Sequence, residues 1–290
     1  MMVVLAVCVT GLEVSSVAQS SSENGIAELG RFRWIAYAPT NYAPEDRPPK
    51  LPSRENIRAD LVVLRHAGCD GLVTYGSTLP EIIEIAESVG FKAVLLGVWD
   101  PSSEDEVRLA KRSALHKAVV GIIVGNEGLM FKRYTLTTLR TAMESLRTST
   151  GKPVSTTEVI ESYYSKPELV EWSDFLTVNA HPYFHGRRDP DAAVEWTVAA
   201  WRRLRENVPP EKLILFKEVG LPTAGRAGLS ETAQSEYYQR LRKTEVRFAF
   251  FEAFDAMFKK GPIEQSWGLF HADRTPKPAA SVLTEVTDRR

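Results

Sequence analysis

The 290-residue sequence has two cysteines, Cys8 and Cys69, too few for a disulfide-stapled scaffold. It has no stretch of about 20 apolar residues, so no membrane-spanning helix is expected. No run of five like charges occurs and the formal net charge is −1, which favours neither nucleic acid nor an anionic membrane as a partner. No strand-like segment leads into a G-x-G-x-x-G turn, so the mark of a dinucleotide-binding sheet is missing. What remains is ordinary for a folded domain, with 43% hydrophobic and 25% charged residues.

The N-terminus has an apolar run, "MMVVLAVCV", with no Lys or Arg before it. Small residues in "SVA" precede "QS", which predicts a secretory signal over 1–18, cut after Ala18. A polar segment over 19–33 and one catalytic domain over 34–290 would follow, in a secreted or periplasmic protein. Loss of the signal removes Cys8 and leaves Cys69 alone. Its context "RHAGCDGLV" suggests a buried structural thiol where a helix end meets a strand.

Eight short β-rich runs recur along the chain: "WIAYAP" (34–39), "GLVTYG" (71–76), "KAVLLGVW" (92–99), "VVGIIVGN" (119–126), "PVSTTE" (153–158), "FLTVNAHPYF" (175–184), "LILFKEVG" (213–220) and "VRFAFFEAF" (246–254). Most are continuous, as strands covered on both faces are. Their spacing of about 30 residues is that of one βα unit. Helical patterns fill the gaps, as in "STLPEIIEIAESVG", where Pro80 suits a first turn and Gly90 a C-terminal cap. The expectation is an α/β fold, a single (β/α)8 TIM barrel. The eighth strand is the ambiguous one, because "VRFAFFEAF" also fits a helix and "SWGLF" (266–270) is a rival.

Barrel active sites gather at the C-terminal ends of the strands. The polar and aromatic residues there are Tyr37, Tyr75, Trp99, Asp100, Asn126, Glu127, Glu158, His181, Tyr183, Glu218 and Glu252. Glu127 closes the fourth run and Glu218 the seventh, across the mouth from each other. Two carboxylates facing over an aromatic-lined mouth suit glycoside hydrolysis, in which one stays protonated and the other ionised. Structural capping or pairing with arginine is the competing reading, and Glu158 and Glu252 compete on position. Lys217 precedes Glu218, but alternation along a strand predicts that the two point apart and do not touch. His181 and His185 lie four apart around Pro182, at a strand end and not on a helix, so no metal site is expected. Trp196 and Trp201 sit in a helical pattern that predicts packing against the barrel.

With these residues the chain resembles glycoside hydrolase family 17, the β-1,3-glucanase family, and in particular its bacterial branch. "YAPTNY" and "VTYGS" resemble the first two strand motifs, and "IIVGNEGL" the V-G-N-E motif. "PVSTTE" and "AHPYFHG" match the fifth and sixth, and "KEVGLPTAG" resembles E-T-G-W-P-S-x-G. "FFEAFDAMFKKGPIEQSWGLFHAD" resembles the closing F-[DN]-x-x-x-K…E-x-x-W-G-L-F segment. The resemblance runs from about residue 34 to 278 and implies a retaining mechanism without a cofactor, with Glu127 as general acid/base and Glu218 as nucleophile. It further implies Asn126 on the sugar 2-hydroxyl, Tyr183 hydrogen-bonded beneath the nucleophile, and Tyr37, Tyr75, Lys259, Glu264 and Trp267 along the sugar subsites. Three positions depart from the family pattern: Ala256, Leu221 and Val73 stand where glutamate, tryptophan and arginine are common.

The expected partner is thus a β-glucan oligo- or polysaccharide, most simply β-1,3-linked, bound by a monomer. Two alternatives stay open. A sugar hydroxyl in place of water would make the protein a transglycosylase, and a barrel that binds carbohydrate without reacting is the reading from another class.

Overall fold

The computed structural model describes residues 25–283. The expected signal over 1–18 lies outside the described residues, as does the start of the polar segment. Residues 25–29 of that segment are helical, and the Leu29 carbonyl accepts a 2.7 Å bond from Trp34 Nε1 at the foot of the first strand.

Eight parallel strands close into a barrel in sequence order. They are β1 (Trp34–Ala36), β2 (Gly71–Val73), β3 (Ala93–Val98), β4 (Val119–Val124), β5 (Val154–Val159), β6 (Leu176–Asn179), β7 (Ile214–Val219) and β8 (Phe248–Phe250). The surrounding helices are α1 (Arg54–His66), α2 (Glu81–Ser88), α3 (Glu104–Ser113), α4 (Leu136–Thr150), α5 (Ile160–Ser165), α6 (Glu168–Trp172), α7 (Pro190–Arg205), α8 (Glu231–Leu241) and α9 (Pro278–Leu283), with a 3-10 turn over Pro182–His185. The expected (β/α)8 architecture is present.

Local chemistry starts these helices where the sequence places them. Ser53, Ser103, Thr135, Asp189 and Ser230 each accept a backbone N–H from the first turn of the helix that follows, a contact typically worth about 1 kcal/mol. Gly151 ends α4 at φ 65°, a conformation that glycine adopts without a Cβ clash. Cys69 is buried, and burial pushes its thiol up to about 12.

The ambiguous eighth strand is the "VRFAFFEAF" run, with Trp34 and Ile35 pairing Ala249 and Phe250 to close the ring. "SWGLF" is not a barrel strand. It lies alongside the chain leaving β8, where Leu269 N donates to the Glu252 carbonyl at 2.9 Å and Glu252 N to the Trp267 carbonyl at 3.1 Å.

Strand side chains alternate between two apolar layers. One set packs outward against the helices, including Ile35, Leu72, Val94, Ile122, Leu176 and Phe216. The other fills the barrel floor: Trp34, Val73, Ala93, Leu95, Ile123, Phe175, Leu215 and Ala249. Above the floor the interior turns polar, with Ser155 Oγ and Thr157 Oγ1 each 2.9 Å from Thr177 Oγ1.

Candidate active site

The chain leaves β4 through a tight turn. Gly125 has φ 78° and Glu127 φ 55°, left-handed values that cost a non-glycine residue roughly 1–2 kcal/mol. The loop wraps around Tyr134: a Cβ on Gly125 or on Gly128 would lie 1.9 Å from that side chain. Tyr134 Oη accepts the Gly128 N–H at 3.2 Å, and Arg133 donates to the Asn126 carbonyl. Glu158, buried at the end of β5, accepts the Leu129 and Met130 N–H groups at 2.9 and 3.3 Å. Glu158 is therefore an anchor for the loop that carries Glu127.

β7 departs from regular pairing at the other carboxylate. Val178 of β6 pairs with Phe216, but the next residue, Asn179, pairs with Glu218. On the other side Phe216 pairs with Phe248 while Val219 pairs with Phe250. Both neighbours thus meet one extra residue between Phe216 and Val219. Such a bulge suspends strict alternation and lets consecutive side chains share a face. This corrects the expectation that Lys217 and Glu218 point apart: Lys217 Nζ donates to Glu218 Oε1 at 2.9 Å.

Lys217 also donates to Asn126 Oδ1 at 2.6 Å, and Asn179 Nδ2 donates to Asn126 Oδ1 at 3.3 Å and to Glu127 Oε1 at 2.9 Å. A continuous chain of polar contacts thus joins Glu127, Asn179, Asn126, Lys217 and Glu218. Because Asn126 Oδ1 takes both donors, its amide nitrogen is left to donate elsewhere.

The two carboxyl groups are pushed in opposite directions. Burial raises Glu127 above the usual carboxylate range and the charge of Glu218 adds to this, against the bond from Asn179. Burial acts on Glu218 in the same sense, but Lys217 and His181 outweigh it and hold that carboxyl well below the ordinary range. His181 contributes through Nε2, 3.2 Å from Glu218 Oε2.

Tyr183 does not make the expected bond to Glu218. The hydrogen bonds that Glu218 receives come from Lys217 and His181. Tyr183 instead packs edge-on against Trp267, with ring centres 5.8 Å apart. His181, two residues before Tyr183 at the same strand end, takes the place beside Glu218 that the resemblance gives to Tyr183. Its ring meets Phe251 and Trp267 at 5.0 and 5.1 Å, whereas His185 stacks on Trp196 at 4.3 Å, so the two histidines serve different neighbourhoods. No motif in the sequence points to Asn179. Its position two residues before His181 on one strand was the available signal.

The remaining candidates divide. Tyr75 faces the centre of the mouth, with Lys217 Nζ 4.1 Å from its ring centre. Its hydroxyl is buried without a hydrogen-bond partner; burial raises it well above its ordinary value, and Glu218 and Glu252 add to the effect. Lys259 donates to Glu252 Oε1 at 2.7 Å. Burial raises Glu252 to about 7 despite that partner. Glu264 is half-buried, three residues before Trp267.

Two expected subsite residues are enclosed by protein. Tyr37 is 1% exposed and directed toward α1, where its hydroxyl donates to Asp60 Oδ2 at 3.0 Å. Trp267 is also 1% exposed, enclosed by His181, Tyr183, Phe184 and Phe251, and offers no open indole face. Open aromatic surfaces after the strand ends include Phe184, 62% exposed after β6, Phe131 in the loop after β4, and Trp99, 43% exposed after β3, with Arg133 over one face at 4.1 Å. Of the departing positions, Val73 packs in the barrel floor, and Leu221 and Ala256 are buried.

Comparison with known proteins places the chain in a family. A protein of Aspergillus fumigatus named "Probable glucan endo-1,3-beta-glucosidase btgC" is 25% identical over 281 residues, covering 80% of this chain and 40% of that one. The chain thus spans well under half the length of that relative. A "Glucan 1,3-beta-glucosidase" of Arthroderma benhamiae is 28% identical over 229 residues, covering 68% of this chain and 73% of that protein. Among solved structures, the glycoside hydrolase family 17 β-1,3-glucanosyltransferase of Rhizomucor miehei superposes with a TM-score of 0.72 at 22% identity, covering 86% of this chain and 96% of that one. The resemblance to family 17 seen in the motifs is upheld, here with fungal relatives. The family model for the BtgE/BtgC glycoside hydrolase domain matches residues 35–268, from β1 through Glu127 and Glu218 to the segment beside β8, and the chain belongs to that family.

Proposed function

We propose that the protein is a retaining glycosidase of β-glucan, most simply β-1,3-linked, with Glu127 as general acid/base and Glu218 as nucleophile. The observation that carries this reading is the opposed setting of two carboxyls joined through Asn179, Asn126 and Lys217. In the first step Glu127 gives its proton to the leaving glycosidic oxygen while a Glu218 oxygen bonds the anomeric carbon. In the second, the Glu127 carboxylate takes a proton from water, which attacks that carbon and returns the electron pair to Glu218. Asn126, with Oδ1 engaged, presents an N–H to the sugar 2-hydroxyl, and Tyr75, Lys259 and Glu264 face the sugar.

Relatives named as glucan 1,3-β-glucosidases support the substrate class. The exposed faces of Phe184 and Trp99 at the mouth favour a second outcome, in which an acceptor sugar replaces water. The apolar run before Ala18 supports action outside the cytoplasm. Incubation with β-1,3, β-1,4 and β-1,6 oligosaccharides followed by mass spectrometry tests the reading. Shorter β-1,3 products indicate hydrolysis, and products longer than the donor indicate transfer. No product from any β-glucan would defeat it.

A further inference from the structure

Lys217 is 1% exposed at the top of the barrel interior. Its ammonium meets Glu218 Oε1 at 2.9 Å, Asn126 Oδ1 at 2.6 Å and the Tyr75 ring at 4.1 Å. Two hydrogen bonds and one aromatic face occupy its three N–H directions, which fixes the head group. Stability alone gives weak reason for a cation here, since replacing a buried ion pair by well-packed apolar groups is often neutral or favourable. The bulge in β7 directs this ammonium onto the very oxygen that the neighbouring residue presents.

We propose that Lys217 is a positioning residue for the nucleophile, clamping Glu218 through Oε1 and promoting its departure in the second step. This rests on the assignment of Glu218 above. When the anomeric carbon bonds to the Glu218 oxygen not held by Lys217, the carboxylate charge disappears into an ester, and the leaving oxygen departs with the proton from Glu127. When water or a sugar hydroxyl then attacks, its proton passes to Glu127, the ester C–O bond breaks and its electron pair returns to Glu218. The negative charge reappears beside an ammonium already in place, which lowers that barrier without reorganisation. The same ammonium stabilises the free carboxylate before the first step and so slows attack. Lys217 therefore balances the two half-reactions in favour of turnover. The other groups facing this centre are Tyr75 from β2, Glu127 after β4, His181 after β6, and Glu252 with its partner Lys259 after β8.

The test compares wild type with Lys217→Met on an aryl β-laminarioside bearing a good leaving group. The expected result is a stoichiometric burst of aryl alcohol, kcat and apparent KM falling together by about tenfold, and the acid limb of kcat/KM moving up by about one pH unit or more. Lys217→Arg, which keeps the charge, moves the limb back toward wild type. If Lys217→Met does not fold, Lys217→Gln keeps a hydrogen-bonding head without the charge and carries the same readouts. A folded variant with no burst and an unmoved acid limb overturns the role of Lys217, provided wild type is active and Glu218→Ala is not. An inactive wild type, or an active Glu218→Ala, instead overturns the assignment on which the role rests.

Discussion

The floor and the mouth of the barrel are made from the same eight strands and have opposite chemistry. At the floor, Trp34, Val73, Leu95, Ile123 and Leu215 interlock as an apolar plug whose one polar side-chain group, the Trp34 indole N–H, is met by the Leu29 carbonyl. At the mouth, Asn126, Asn179, Lys217, Glu218 and Glu252 are equally withdrawn from solvent and all polar. Burial of the first set stabilises through area removed from water. Burial of the second opposes folding unless each group finds a partner, and most do so across strands. One end of each strand is thus selected for volume and the other for donors, acceptors and charge.

Substitutions at the two ends should separate these contributions. The largest effect is expected at the mouth: Glu218→Ala lowers kcat/KM by about 10³-fold or more in protein that is still folded, and costs about 3–5 kcal/mol of stability because Lys217 loses its buried counter-charge. Azide should restore turnover to Glu127→Ala with retained configuration and give the inverted product with Glu218→Ala; retained product from the latter would reverse the two roles. At the floor, Leu95→Ala should cost about 2–5 kcal/mol in unfolding free energy while kcat, measured well below the transition, stays near wild type. Loss of kcat without loss of stability there would erase the distinction between the ends.

A third test uses pH. Glu252 stands at about 7 in the folded protein against an ordinary 4.5, so the folded state holds its proton more tightly than the unfolded chain does. Its contribution to stability is fully present below pH 4.5 and is lost as pH rises through 7. The melting temperature of Glu252→Gln should therefore fall less steeply across that window than that of wild type, by a few degrees. Parallel slopes would show that Glu252 ionises normally. The smallest effect is expected from Tyr37→Phe, about 1 kcal/mol of stability with KM unchanged, since its hydroxyl serves Asp60. A raised KM would return Tyr37 to the sugar site.

The legible part of this molecule is the part governed by period and composition. Continuous β-rich runs at a spacing of one βα unit disclose the barrel, and carboxylates closing the fourth and seventh runs disclose the pair of interest. The readings that failed depend on which way a side chain points. Continuous apolar strands hide their parity, so nothing in "WIAYAP" says that Trp34 faces inward and Tyr37 toward α1. Alternation predicted that Lys217 and Glu218 diverge, and one extra residue in β7 cancels it. Trp267 carries the right residue type for a sugar platform, but four surrounding rings, three from the segment after β6 and one from the segment after β8, cover its faces.

The turn drawn around Tyr134 sets bounds on how this mouth can be remodelled. Positions 125 and 128 admit no side chain without displacing that phenol ring, so varying them would shift the turn that carries Glu127. Met130 and Phe131, a few residues on, face solvent and can be exchanged freely. Substrate range should therefore be sought by diversifying 130–131 while both glycines and the tyrosine are held constant.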